Sequence, residues 1–226
     1  MSPAIESLEF GQLPLLRVEY SLQVEPIAPA SLDDLCQLRA AFREELPQVT
    51  DFGGPSSGFS INMGSAMGAG FDNLATGVGL AVRAERVFAA WQRLRPETAY
   101  VRFETLRSLL TKALSLQHHR TPTQAYGFYA NRVPREHGTP KELLIPSLFG
   151  QLNGVSPKDL RVTWELNGGD YRLNVYAVED GWMLETLFIV PCVDPTESLD
   201  MVHRTLLETF HAIITDKART IWQLKP

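Results

Sequence analysis

Residues 15–25, LLRVEYSLQVE, alternate: Leu16, Val18, Tyr20, Leu22 and Val24 fall on one side of an extended chain, and Arg17, Glu19, Ser21, Gln23 and Glu25 on the other. A strand in a doubly wound parallel sheet is covered on both faces and reads as a continuous apolar run. This pattern instead calls for an antiparallel or mixed sheet with one apolar face and one polar face. The same kind of segment returns near the other end of the chain. LRVTWEL (160–166), YRLNVYAV (171–178) and WMLETLFIV (182–190) are separated by turn signals at Gly168-Gly169 and Asp180-Gly181.

Helical spacing lies between the strands. Ser31 with Asp34 three residues on opens a helix whose apolar stripe is Leu35, Leu38, Phe42 and Leu46, and Pro47 ends it. Pro96-Glu97-Thr98 opens a second, with Ala99, Phe103, Leu106, Leu110 and Ala113 as its stripe. Asp194-Pro195 begins the third, with Pro at the first helical position and Glu197 in the first turn. Its stripe is Leu199, Val202, Leu206, Phe210, Ile213 and Ile214. VGLAVRAERVFAAWQRL (78–94) reads as a strand hairpin, YGFYANRV (126–133) as a further strand, and ELLIPSLFG (142–150) as a short apolar segment. The order is then β-α-(loop)-ββ-α followed by β-(short α)-βββ-α. It predicts an α+β fold, a mostly antiparallel sheet with helices packed on one face, built as two ferredoxin-like halves. The 226 residues, 44% of them hydrophobic and 21% charged, suffice for one such domain, with halves at about 1–120 and 121–226.

GSAMGAGFDNLATGVG (64–79) asks whether its glycines cradle phosphate. A dinucleotide fingerprint needs GxGxxG running from a strand into a helix. Gly68-Ala69-Gly70 is followed at the third glycine position by Asn73, and Gly77-Val78-Gly79 by Val82. Both templates fail, and residues 51–76 are expected to form a mobile Gly-rich surface loop.

No catalytic or metal signature appears. His118-His119 closes a helix where a cation suits the dipole. His203 and His211 stand eight apart, not at the four-residue zinc spacing. There is no GxSxG, and Glu44-Glu45 and Asp33-Asp34 belong to a solvated helix face. Thr215-Asp216 suits a local cap or bend of the last helix. Cys36 and Cys192 are distant in sequence and read as reduced thiols. The expectations are no catalytic residue, no metal and no cofactor. With no signal-peptide pattern and no apolar run long enough to span a bilayer, the chain reads as cytoplasmic, with no membrane partner.

The charge distribution is the strongest functional lead. The net charge is −5, yet residues 1–82 carry −7, residues 83–141 carry +7, and residues 142–226 carry −5. Arg83, Arg86, Arg93, Arg95, Arg102, Arg107, Arg120, Arg132 and Arg135 dominate the middle block, with Trp91, Tyr126 and Tyr129 interleaved. Arginine forks suit carboxylates and phosphates. The acidic flanks neutralise this block within the fold, or a partner does. The expected function is a non-enzymatic binding or adaptor module that takes a protein or other acidic partner, a homo-oligomer included. Arg83, Arg86, Trp91, Arg102, Arg107, Tyr129, Arg132 and Arg135 are the candidate partner-binding residues. A nucleic-acid-binding subunit using the open sheet face is the alternative, and an enzyme of unrecognised type a third.

Three segments together, PLLRVEYSLQVEP (14–26), YGFYANRV (126–133) and LLETFHAIITDKAR (206–219), carry a family likeness. In the last, Phe210, Ile214, Thr215 and Asp216 fall in an F-x-x-x-I-T-D pattern. The chain resembles a sporadically distributed bacterial family of about 250 residues, with a PLVEVVF-like opening strand and an ITD-bearing final helix. The resemblance implies a shared fold and a bacterial source, and it carries over no catalytic residue.

Overall fold

The computed structural model describes residues 15–26, 57–62, 68–73, 77–94, 101–117, 119–134 and 159–210, with Gln37, Ala40, Pro96 and Thr98 in isolation. Its strands are β1 (Leu15–Glu25), β2 (Ser57–Asn62), β3 (Gly68–Asn73), β4 (Val78–Val82), β5 (Arg86–Gln92), β6 (Thr121–Pro134), β7 (Asp159–Leu166), β8 (Gly169–Val178) and β9 (Gly181–Pro191). Among the described residues two helices are complete, α1 (Phe103–Ser115) and α2 (Pro195–Phe210). The strands form one sheet in the order β2-β3-β4-β5-β1-β6-β9-β8-β7. Every neighbouring pair is antiparallel.

The alternation in β1 sets the two faces. Val18, Tyr20, Leu22 and Val24 are buried, and the register places Trp91, Ala89 and Val87 of β5 beside the first three. Tyr129, Gly127 and Ala125 of β6 lie on their other side. Helix α1 packs on β5, β1 and β4, and α2 on β6 and β9, all against this same face. Each large apolar side chain enclosed there stabilises the fold by about 1.5–3 kcal/mol. Gly127 is what lets α2 approach: a Cβ there would lie 2.4 Å from both Leu206 Cδ1 and Val202 Cγ1.

Helix α2 starts where its sequence predicts. The Asp194 carboxylate accepts the Glu197 amide at 2.8 Å, and the Asp194 carbonyl accepts the Ser198 amide at 2.9 Å. Leu199, Val202, Leu206 and Leu207 are buried beneath it. Phe210 ends the element, and the ITD motif lies outside the described residues. Replacing the cap by Asp194→Ala should lower the unfolding free energy by about 1 kcal/mol, read from the urea midpoint. A change below about 0.3 kcal/mol would show that α2 does not depend on this cap.

Two expectations are corrected. Residues 51–76 are not one loop, because Ser57–Asn62 and Gly68–Asn73 pair as strands and β3 continues onto β4. The glycines there are compatible with a ladder because the sheet, not the local sequence, supplies their hydrogen-bond partners. Helix α1 begins at Phe103 and not at Pro96. Arg102 is still extended (φ −64°, ψ 149°), and its carbonyl accepts the Thr105 amide at 3.1 Å. Of the Ser31 helix, Gln37 and Ala40 are helical and exposed, as positions off its apolar stripe should be; the other residues lie outside the described ones. The turn after β7 is Asn167-Gly168, one residue earlier than expected, with Leu166 opposite Gly169.

Candidate functional site

The sheet face opposite α1 and α2 carries the odd-numbered side chains of β1. Ser21 is flanked in register by Phe88 and Tyr126, and Glu19 by Ala90 and Phe128. The rows continue through Ile189 and Leu187 of β9 to Asp170 and Arg172 of β8. Glu19, only 9% exposed, is held by Arg17 at 2.5 Å and by Arg86 at 3.5 Å. Arg83 and Arg86 both place their guanidinium carbon 5.1 Å from the centre of the Phe88 ring. Arg83 is exposed and forms no ion pair among the described residues.

Tyr126 stands at the middle of this surface and donates its hydroxyl to Gln23 Oε1 at 2.6 Å. Partial burial raises its pKa, while Arg86 from one side and Arg172 from the other pull it down. Arg86 on β5 and Arg172 on β8, on opposite sides of β6, thus both act electrostatically on this phenol. Farther along, Tyr176 donates to Glu185 at 2.7 Å, and burial with that bond pushes its pKa up to about 12. Cations, carboxylates and aromatic rings alternate across the face, an arrangement suited to mixed polar contacts and not to a uniform phosphate track.

The described ones among these candidate residues separate into three places. Arg83, Arg86 and Arg132 reach the polar face, Arg132 paired with Asp180 at 2.6 Å. Arg102 and Arg107 lie on the helix side, Arg107 bound to Asp200 at 2.5 Å and 5.5 Å from the Phe103 ring centre. Trp91 and Tyr129 are fully buried in the core and are withdrawn as partner-binding residues. Arg135 lies outside the described residues. The basic block is partly neutralised from both acidic flanks, by Glu19, Asp180 and Asp200. Arg120, 4% exposed, is spent internally, donating to the carbonyls of Arg83 at 2.9 Å and Ala84 at 3.4 Å. Phe88, Phe128 and Arg172 were missed, although alternation from β5, β6 and β8 places them on one face.

A second polar cluster lies inside the core. Tyr20 Oη is 2.5 Å from Tyr129 Oη, and these hydroxyls lie 2.6 Å and 3.0 Å from His203 Nδ1. The His203 ring stacks on Phe103 with centroids 4.0 Å apart and planes 9° apart. Burial, foremost, raises both tyrosine pKa values, so both hydroxyls stay protonated. His203 Nε2 has no hydrogen-bond partner among the described residues. With both tyrosines fully enclosed, this cluster ties α2 to β1 and β6. Cys192 is a free, half-buried thiol, pushed up by burial. Among the described residues, no group of three His, Cys, Asp or Glu is placed to hold a metal ion.

No protein-family model and no curated protein matches the chain. A search of solved structures aligns it with the S. pombe RNA triphosphatase Pct1, solved in complex with the Spt5 CTD. The alignment has 6% identity over 95% of this chain and 87% of that one, with a TM-score of 0.15. A likeness that loose carries no argument about fold or activity.

Proposed function

We propose that the protein is a binding module that takes an acidic protein segment on the sheet face centred on Tyr126. Arg83 carries the reading: it is an exposed cation with no ion pair among the described residues, anchored over Phe88 beside Arg86. Arg172 extends the positive surface across Tyr126. Carboxylates fit guanidinium forks, and the aromatic rings supply apolar contact between them. Nucleic acid fits less well. The Phe88 ring, the stacking platform a base would use here, is already engaged by two guanidiniums.

The frame behind that face fits a single domain with two related, ferredoxin-like halves. Each begins with a strand that pairs antiparallel with the last strand of the meander following it, β1 with β5 and β6 with β9. Each ends in a helix, α1 or α2, on the same side, and the halves join where β1 pairs with β6. The bacterial family resemblance and a cytoplasmic setting belong to the same proposal.

The test is fluorescence anisotropy with a labelled glutamate-rich peptide and a labelled single-stranded oligonucleotide. The peptide should bind at ~0.05 M salt and weaken steeply by ~0.3 M, as screening shortens the reach of exposed charges. Arg83→Gln with Arg172→Gln should weaken it by about tenfold with circular dichroism unchanged. Tighter binding of the oligonucleotide would transfer the face to nucleic acid. No binding of either would leave these arginines as part of the fold's own charge balance.

A further inference from the structure

The β7 edge of the sheet is complementary to itself. Asn167 (φ 51°) and Gly168 (φ 73°) make a two-residue turn, with Leu166 opposite Gly169. Residues flanking such a turn exchange backbone hydrogen bonds, so Leu166, Trp164 and Val162 turn their peptide groups toward β8. Arg161, Thr163 and Glu165 therefore turn theirs outward. Among the described residues, no strand occupies that side. β7 pairs with β8 over eight residues without a register shift, and it contains no Pro or Lys of the kind that guards natural edges.

We propose that β7 pairs antiparallel with β7 of a second copy of this chain, about a two-fold axis through Thr163. Arg161 then stands opposite the second copy's Glu165, and Glu165 opposite its Arg161. Both side chains are exposed and lie on the polar face. Thr163 faces its own counterpart, a favourable cross-strand pair. On the other face Val162 stands opposite Trp164. Both are half-buried, and Trp164 stacks on Tyr171 at 4.7 Å, so the core continues across the seam.

Other registers are worse. A slip of one residue sets the polar face against the apolar one. A slip of two places Asp159 opposite Glu165, or leaves Arg161 opposite the turn residue Asn167. The outward peptide groups of Arg161, Thr163 and Glu165 each exchange both backbone hydrogen bonds in the charge-matched register, and the two sheets become one.

Sedimentation velocity on the full chain tests this. Wild type should show a reversible dimer that populates fully by ~200 µM, since an edge pairing of this size gives a weak interface. Arg161→Glu and Glu165→Arg each set like charges opposite one another at both symmetric positions and should weaken the dimer by about tenfold or more. The double swap R161E/E165R restores opposite charges and should recover wild-type affinity within about threefold. Thr163→Pro removes an outward N–H without touching the β7–β8 ladder, so it should abolish dimerisation while circular dichroism is unchanged. A wild type that stays monomeric at ~200 µM overturns the proposal, as does a double swap no better than the single variants. A dimer indifferent to Thr163→Pro overturns it too. If Thr163→Pro fails to fold, the charge swap decides alone.

Discussion

Lowering the pH from 7 to 4 should remove about 3 kcal/mol of stability through His203 alone. The imidazole is 4% exposed, stacked on Phe103 and bonded at Nδ1 to two protonated tyrosines. Burial pushes its pKa down to about 4, opposed by the nearby carboxylates of Glu104 on α1 and Asp200 on α2 and reinforced by Arg107. The unfolded histidine titrates near 6.5. Above about pH 6.5 neither state holds the proton and the full stability is present. Between about 6.5 and 4 the unfolded chain binds a proton that the folded one refuses, so stability falls with pH; below about 4 the loss is complete. A charge forced onto this ring finds only neutral hydroxyls at Nδ1 and, among the described residues, no partner at Nε2. The expected consequence is loosening of α2 from the sheet.

Urea unfolding at pH 7, 6, 5 and 4 measures the effect. It should be compared with His203→Phe, which keeps an aromatic ring but does not titrate. The wild-type slope should exceed the variant's by close to one proton across the pH 5–6 interval. Equal slopes, or an imidazole that titrates near 6.5 by NMR in the folded protein, would show that the ring reaches water.

The histidine shows where sequence reading ends. His203 falls within the buried face of a legible amphipathic helix, so its enclosure is no surprise. Its partners stand on β1 and β6, and no spacing rule links them to it. The one-sided alternation of β1 and the cap at Asp194-Pro195 were local signals and gave the sheet's two faces from Val18 onward and the start of α2. A bulge, however, puts Leu15 and not Leu16 in the core, and Ser21 on the polar side is buried by its neighbours. Face assignment failed where both sides of a strand carry aromatics. In β5, Phe88 and Trp91 lie three apart and so on opposite faces, and only the pairing of Trp91 with Val18 decides which is core. In YGFYANRV the same holds for Tyr126 and Tyr129. Gly127 between them marks the close approach of α2, a contact more than seventy residues away in sequence. Glycine density misled in the β2–β3 region for a related reason. Phe59 and Ile61, then Ala69 and Phe71, keep a period of two, but a weak strand at a sheet edge is decided by its neighbour.

Gly77→Ala should be among the most damaging single-methyl changes in the chain, costing roughly 3 kcal/mol or more or preventing folding. Gly77 belongs to the glycine run that fails as a phosphate loop, and the structure gives it a different task. It sits just before β4 at φ +71°, where its carbonyl accepts the Gln92 amide at 2.8 Å. A Cβ there would lie 2.0 Å from the Gln92 carbonyl oxygen and 3.2 Å from Thr98 Cγ2. The first contact is with backbone fixed in the β4–β5 ladder, so no rotamer change relieves it. Gly168 supplies the control, because its φ is +73° and an added Cβ would meet nothing within 4 Å. Gly168→Ala therefore isolates the cost of a left-handed alanine, about 1–2 kcal/mol. The difference between the two variants, read from urea or thermal unfolding, measures the contact at Gln92. Soluble, cooperative Gly77→Ala protein within about 0.5 kcal/mol of Gly168→Ala would mean that β4 shifts to admit the methyl, and that this corner of the sheet is not held to its present register.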